Sequence, residues 1–205
     1  MSVISYMQGL GMGASLILPL GAQNVFVLTQ GVKNQRPLLV ALICALCDAS
    51  LIALGVGGAG SLIASSPLLL KLATAWGVLF LAWYGWRALR GALDTRPRGA
   101  DQTEARQGTL LRIVAATLAV TLLNPHVYLD TVLLLGSLSA QHTGDGRYWF
   151  GAGAMTASFC WFFSLSLGAR QLAPLFRQTL SWRLLDGFTC AVMWGVAGSL
   201  IIGSL

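Results

Sequence analysis

Apolar residues run along this chain in six long segments, 3–30, 38–64, 68–86, 109–140, 148–169 and 184–205, parted by short polar stretches. Each comes close to or exceeds the roughly 20 helical residues that a bilayer core requires. The pattern predicts an all-α integral membrane protein, a single polytopic domain over 1–205 with six transmembrane segments. Residues 91–108 mix Pro, Gly and charge, and predict a solvated linker between two halves, 1–90 and 109–205. The first segment does not read as a cleavable signal, because no basic region precedes it and its apolar run is too long.

Two segments carry breaks. The fourth contains Leu123-Asn124-Pro125-His126-Val127-Tyr128-Leu129-Asp130, which sets a helix breaker, an imidazole and a carboxylate within six positions of one another. Pro125 removes an amide donor and crowds the carbonyl one turn back. Inside a bilayer, backbone freed in this way survives only against other helices or a wet cavity. His126 and Asp130 likewise cost several kcal/mol at depth unless they face an interior. The first segment reads Leu18-Pro19-Leu20-Gly21-Ala22-Gln23-Asn24 at its middle, and Pro19 with Gly21 suggests a second broken helix. Its amides would then bond to neighbouring helices or line a path.

Setting Pro19 beside Pro125 places Asn24 opposite Asp130, and Cys47 with Gly55 echoes Cys160 with Gly168. Two halves of three spans each must lie in opposite orientations, because an odd number of crossings inverts the second copy. The expected architecture is therefore two inverted three-helix repeats with helices 1 and 4 broken. In secondary transporters of this plan the interrupted helices meet at the midplane and form the site.

Composition sharpens the picture: 56% of residues are hydrophobic and 10% charged, and the net charge is +6. Lys33 and Arg36 lie in the first loop; Arg87, Arg90, Arg96, Arg98, Arg106 and Arg112 lie in or beside the third; Arg170, Arg177 and Arg183 lie in the fifth. Even loops hold only Lys71 and Arg147. By the positive-inside bias the odd loops are cytoplasmic and both termini face out, whereas a re-entrant first segment would leave the amino terminus inside. The positive charge is thus a topology signal, with no nucleic-acid partner implied.

Asp48 sits about ten residues past the cytoplasmic edge of the second segment, roughly 15 Å deep. A lone carboxylate there marks a site or a protonated group bonded to a neighbouring helix. Asp48 and Asp130 read as the only acids well inside the segments. Trp83-Tyr84-Gly85-Trp86-Arg87, Tyr148-Trp149 and Trp182-Arg183 read as interfacial collars. Trp161, Phe162 and Phe163 lie mid-segment and fit lipid or helix packing, with the wall of a cavity as the alternative. Cys44, Cys47, Cys160 and Cys190 fall in apolar segments and read as buried small hydrophobes. Cys44-x-x-Cys47 lacks the strand-to-helix setting of a redox motif. Neither a phosphate loop, a metal cluster nor a nucleophile triad can be drawn, so no metal, cofactor or enzyme activity is expected.

Pro19 to Asn24, Cys47-Asp48, the stretch from Leu123 to Asp130 and Leu135-Gly136-Ser137-Leu138 together resemble the LysE family of bacterial inner-membrane exporters of basic amino acids, nearest its arginine-exporting branch. The resemblance covers essentially the whole chain. One position departs from it, because the family usually has proline where Ala22 stands. The resemblance implies export of L-arginine, L-lysine or both. A cation in a low-dielectric cavity needs a carboxylate partner, and the two oxygens of a carboxylate suit a guanidinium. Asp48 and Asp130 are the candidates, with Asn24, Gln23 and Asn124 for the amino acid head group. Moving a positive charge outward against an inside-negative potential costs about 2.3 kcal/mol per 100 mV. Export therefore calls for coupling, and proton influx through Asp48 and Asp130, with His126 as relay, is the expected source. Membrane lipids are the surrounding partner, and a homo-oligomer stays open. A neutral amino acid exporter of the threonine or homoserine type, a thiol-redox carrier and an assembly role are the alternatives. Substrate competition separates the first from a basic amino acid exporter. Replacing all four cysteines with Ala should leave transport intact, and its loss would favour the thiol carrier.

Overall fold

A computed structural model describes residues 2–19, 21–58, 67–94, 109–124, 127–172 and 179–204. Their regular structure is entirely helical. The elements are α1 (Ser2–Ile17), α2 (Ala22–Val32), α3 (Pro37–Val56), α4 (Pro67–Leu93), α5 (Leu110–Leu122), a π-helical segment (Tyr128–Leu134) running into α6 (Leu135–Ser139), α7 (Gly146–Leu172) and α8 (Thr179–Ser204). Local chemistry explains several of these ends. Pro37 opens α3 where a missing amide costs nothing. Gly57 closes the same helix, its amide donating to the Ala53 carbonyl at 2.8 Å, and Gly58 follows at φ +93°.

The expected breaks in the first and fourth segments occur as interruptions of the helix. The axes of α1 and α2 meet at 80°. In the fourth segment α5 stops at Leu122, and helix resumes from Val127 with i→i+5 bonding, in which the Leu135 amide donates to the Asp130 carbonyl. Pro125 and His126 lie outside the described residues. The third helix reaches Leu93 rather than ending near Trp86, so Arg87 and Arg90 stand on α4 and not in a loop. Their guanidiniums lie over the rings of Trp83 and Trp86, each 5.1 Å from the ring centre.

Among the described residues three helices, α3, α7 and α8, are long and apolar enough to cross a membrane, and α1 with α2 makes a fourth if the bent pair is one span. Leu110–Leu122 and Tyr128–Ser139 are shorter apolar helices. The outward surface is apolar, with Leu79 63% and Ile202 75% exposed, as suits contact with lipid. Polar side chains instead point in: Gln23, Asn24, Asp48, Thr117, Thr121, Ser158 and Ser166 are all buried.

At the centre stands α2, whose residues are all buried except Leu28. Its Phe26 packs with Val40 and Cys44 of α3, Val120 of α5, Phe162 of α7 and Met193 of α8. Around it α7 lies against α1, α2 and α3, while α3 also meets α5, the π segment and α6, and α4 pairs with α8. Close backbone contact sets one of these crossings. A Cβ on Gly55 would stand 2.8 Å from the Val132 carbonyl oxygen and 2.9 Å from that of Thr131, and Gly136 faces the Gly55 carbonyl in the same way. Only glycine lets α3 and the π segment approach so far. Gly55→Leu should push them apart and cost about 1–3 kcal/mol, the usual penalty of overpacking. A lowered thermal midpoint of the detergent-solubilised protein checks this, and an unchanged midpoint would contradict it.

Candidate functional site

An interrupted helix leaves carbonyls without their i+4 amides, and in hydrocarbon these need substitutes. At the first break Asn24 supplies two, because its Nδ2 donates to the Ile17 carbonyl at 2.8 Å and to the Pro19 carbonyl at 2.7 Å. The Gly21 amide, in extended backbone at φ −98°, also donates to Pro19, at 2.9 Å. Trp161 of α7 then donates its indole N–H to Asn24 Oδ1 at 3.1 Å. Every polar atom of the Asn24 side chain therefore has a partner in the protein, which fits holding the break more closely than gripping a substrate. At the second break the Tyr128 hydroxyl donates to the Leu122 carbonyl at 2.7 Å, an analogous closure by a side chain.

Gln23 and Asp48 face one another's neighbourhood across α2 and α3. Asp48 is 3% exposed, and its Oδ2 accepts from Ser158 Oγ at 2.9 Å. Its Oδ1 has no partner, and neither has Gln23 Nε2, although Gln23 is only 9% exposed and its side chain lies beside both Cys44 and Asp48. Cys44 Sγ in turn lies 3.7 Å from Thr121 Oγ1 on α5. The result is a buried cluster of polar groups at the break, contributed by α2, α3, α5 and α7. It presents one open carboxylate oxygen and one open amide N–H. Buried polar atoms are normally satisfied, and two open ones side by side call for an explanation. An acceptor with a full negative charge suits a cation, and the amide donor suits a carboxylate.

Other candidates fall differently. Asp130 is half-buried on the π segment, which crosses α3 at Gly55. Gly55 and Asp48 are two turns apart on one face of α3, about 10 Å along its axis. Asn124 is half-buried just beyond α5. Among the cysteines, Cys44 and Cys190 are buried as expected and Cys47 is partly so, but Cys160 is exposed on α7. Tyr84 does not join an interfacial collar, because it packs on Phe26 with ring centres 5.7 Å apart. Trp182 also turns inward and is buried with Val32, Ala169 and Leu185.

Three participants escaped the sequence reading. Ser158 and Trp161 have no local signal, since their partners lie 110 and 137 residues away. Asp186 was passed over because it follows the pair Trp182-Arg183, which reads as an interface. It is nonetheless 5% exposed and 3.9 Å from Lys33, so Asp48 and Asp130 are not the only acids drawn inside. No group of three or more metal-binding side chains occurs among the described residues.

The family model of the LysE type translocator matches residues 14–204 of this chain. Curated relatives include the arginine exporter protein ArgO of Pectobacterium carotovorum subsp. carotovorum (strain PC1), 48% identical over 192 residues that make up 94% of each chain. The arginine exporter protein ArgO of Serratia proteamaculans (strain 568) is 48% identical, across 94% of this chain and 93% of its own. The one from Salmonella typhi is 46% identical, across 95% and 92%. No solved structure matches the chain.

The geometry makes one direct prediction. Trp161→Phe keeps the ring but removes the hydrogen bond to Asn24, leaving a buried acceptor open at a cost of about 1–3 kcal/mol. Thermal unfolding should show that loss, and Asn24→Leu, which also strands the Ile17 and Pro19 carbonyls, should lose more. Equal stability of both variants with the parent would contradict the role given to Asn24.

Proposed function

The chain belongs to the LysE type translocator family, and from that premise we propose that it exports L-arginine, with L-lysine as a second substrate, across the bacterial inner membrane at the expense of proton influx. A translocator moves its substrate unchanged, so the polar cluster is a binding site and not a catalytic one. The observation that carries the proposal is the open Asp48 oxygen beside the open Gln23 amide, both buried at a helix break.

The chemistry follows from the environment. An ionised carboxylate held away from water is stabilised by a partner cation, and a guanidinium can offer several N–H donors at once. A proton serves the same carboxylate as well. Asp48 therefore holds either a proton or the substrate cation, and exchanging one for the other couples the two flows. Asp130, on the adjoining segment, is the second acid of the relay, with His126 between the break and Asp130 in sequence. Gln23 meets the substrate carboxylate, joined by Asn124 from the second break, while Asn24 keeps the first break in shape.

Six spans in two inverted repeats, 1–90 and 109–205 joined by 91–108, give this chemistry access to alternate sides. Packing supports the arrangement. The first broken pair, α1 with α2, lies on α7, and the second, α5 with the π segment and α6, lies on α3. Gly55 of α3 abuts Gly136 of α6, and Gly31 of α2 abuts Ala169 of α7, so each half meets the other through small residues. Odd-numbered loops, rich in basic residues, face the cytoplasm.

In vesicles preloaded with labelled arginine, an inward proton gradient should drive loss of label from the parent protein. Asp48→Asn, which preserves shape and removes the charge, should reduce that loss by roughly ten-fold or more, the worth of a charge-assisted bond. An Asp48→Asn, Asp130→Asn double variant that still exports would overturn the scheme, and loss of a neutral amino acid in place of arginine would select the threonine type of exporter.

A further inference from the structure

A second buried polar cluster lies where α2 ends. Asp186 of α8 is 5% exposed, and its Oδ1 is 3.9 Å from Lys33 Nζ, whose side chain is 30% exposed. Tyr84 of α4 lies within electrostatic reach of Asp186 and of Arg87, and the Gln30 side chain sits beside its hydroxyl. Gln30 is only 8% exposed, yet its Oε1 has no hydrogen-bond partner. Around these groups Val32, Ala169, Trp182 and Leu185 form an apolar wall.

The cluster at Asp48 does not use these groups, but α2 joins the two. Gln23 and Gln30 are seven residues apart, so they share one face of the helix, about 10 Å from each other along its axis. Each carries an open polar atom; Gln23 lies beside the Asp48 carboxylate, and Gln30 meets Tyr84, which Asp186 also reaches. Their chemistry differs in a useful way. At Gln23 the open atom is a donor; at Gln30 it is an acceptor, which adds to the acceptor oxygens of the Asp186 carboxylate. Such a set fits a group with many N–H donors and positive charge.

We propose that Asp186, with Gln30, forms a second cation station on the Lys33 side of the protein, where the side-chain cation of a basic amino acid displaces Lys33 from Asp186 before it passes along α2 to Asp48. This rests on the reading of the chain as a basic amino acid exporter. Lys33 is the station's internal occupant: its ammonium balances Asp186 while substrate is absent, and its partial exposure gives it somewhere to go. The Lys33–Asp186 distance of 3.9 Å lies at the outer limit of an ion pair, so that contact is one a closer cation can replace. Both residues belong to the substrate path rather than to the fold alone.

Two measurements on the full chain in lipid nanodiscs and vesicles test this. First, arginine should raise the rate at which an amine-acylating reagent modifies Lys33, read by mass spectrometry, whereas glutamine should not. An unchanged rate with arginine would overturn the proposal, whether or not flux is seen. Second, Asp186→Asn should raise the KM for arginine offered from the Lys33 side by roughly ten-fold or more, with a smaller change in maximal rate. The charge-swapped pair Lys33→Asp, Asp186→Lys separates binding from folding. Its thermal midpoint should recover while its KM stays raised, and a KM back at the parent value would show a structural ion pair and sink the station. Parent protein that shows arginine-dependent Lys33 labelling but no arginine flux would refute export while leaving the station standing.

Discussion

A helix broken inside hydrocarbon leaves carbonyl groups that water cannot reach, and the side-chain amide of Asn24 closes two of them. Much else depends on that closure. It lets α1 and α2 turn through 80° without stranded backbone, so α2 can lie buried at the middle of the bundle. There its amides face α3 and α7 instead of lipid. The indole of Trp161 fixes Asn24 from α7, and so ties the break to the helix that also presents Ser158 to Asp48. One polar residue thereby holds the geometry in which two others, Gln23 and Asp48, keep open valences.

The balance of satisfied and unsatisfied polar atoms separates structure from site. Thr29, Thr117, Thr131 and Thr189 return their hydroxyl protons to carbonyls one turn back, the ordinary way to bury a hydroxyl in a helix. Asn24 is fully engaged. By contrast, Asp48 Oδ1, Gln23 Nε2 and Gln30 Oε1 are buried and open on or against α2, and the other open buried atoms among the described residues, Arg147 Nε and Ser166 Oγ, lie on α7. In a bilayer such openings are expensive, and they are tolerable where a substrate or a proton completes them in turn.

Much of this was legible along the chain. Hydrophobic runs located the helices, and Pro19 with Gly21 announced the first break because no helix interior accommodates both without consequence. Asp48 stood out because a carboxylate in the middle of an otherwise apolar segment has no bland surroundings. What stayed hidden depended on distant partners. Ser158 is an unremarkable serine until α7 crosses α3, and Trp161 reads as packing until its N–H finds Asn24. Asp186 was obscured by the position of an interface: Trp182 and Arg183 suggested water, but α8 begins at Thr179 and Trp182 turns inward. An element end shifted as well, since α4 carries Arg87 and Arg90 on helical turns with their guanidiniums over Trp83 and Trp86.

At the centre of the account, one buried carboxylate is occupied by either a proton or a substrate cation. Calorimetry of arginine binding to the solubilised chain, repeated in buffers of different ionisation enthalpy, reads that exchange directly. Heats that vary with the buffer, showing proton release on binding, and that lose this dependence in Asp48→Asn, are the predicted result. Arginine binding with no proton released at any pH tested, or release undiminished by Asp48→Asn, would contradict it.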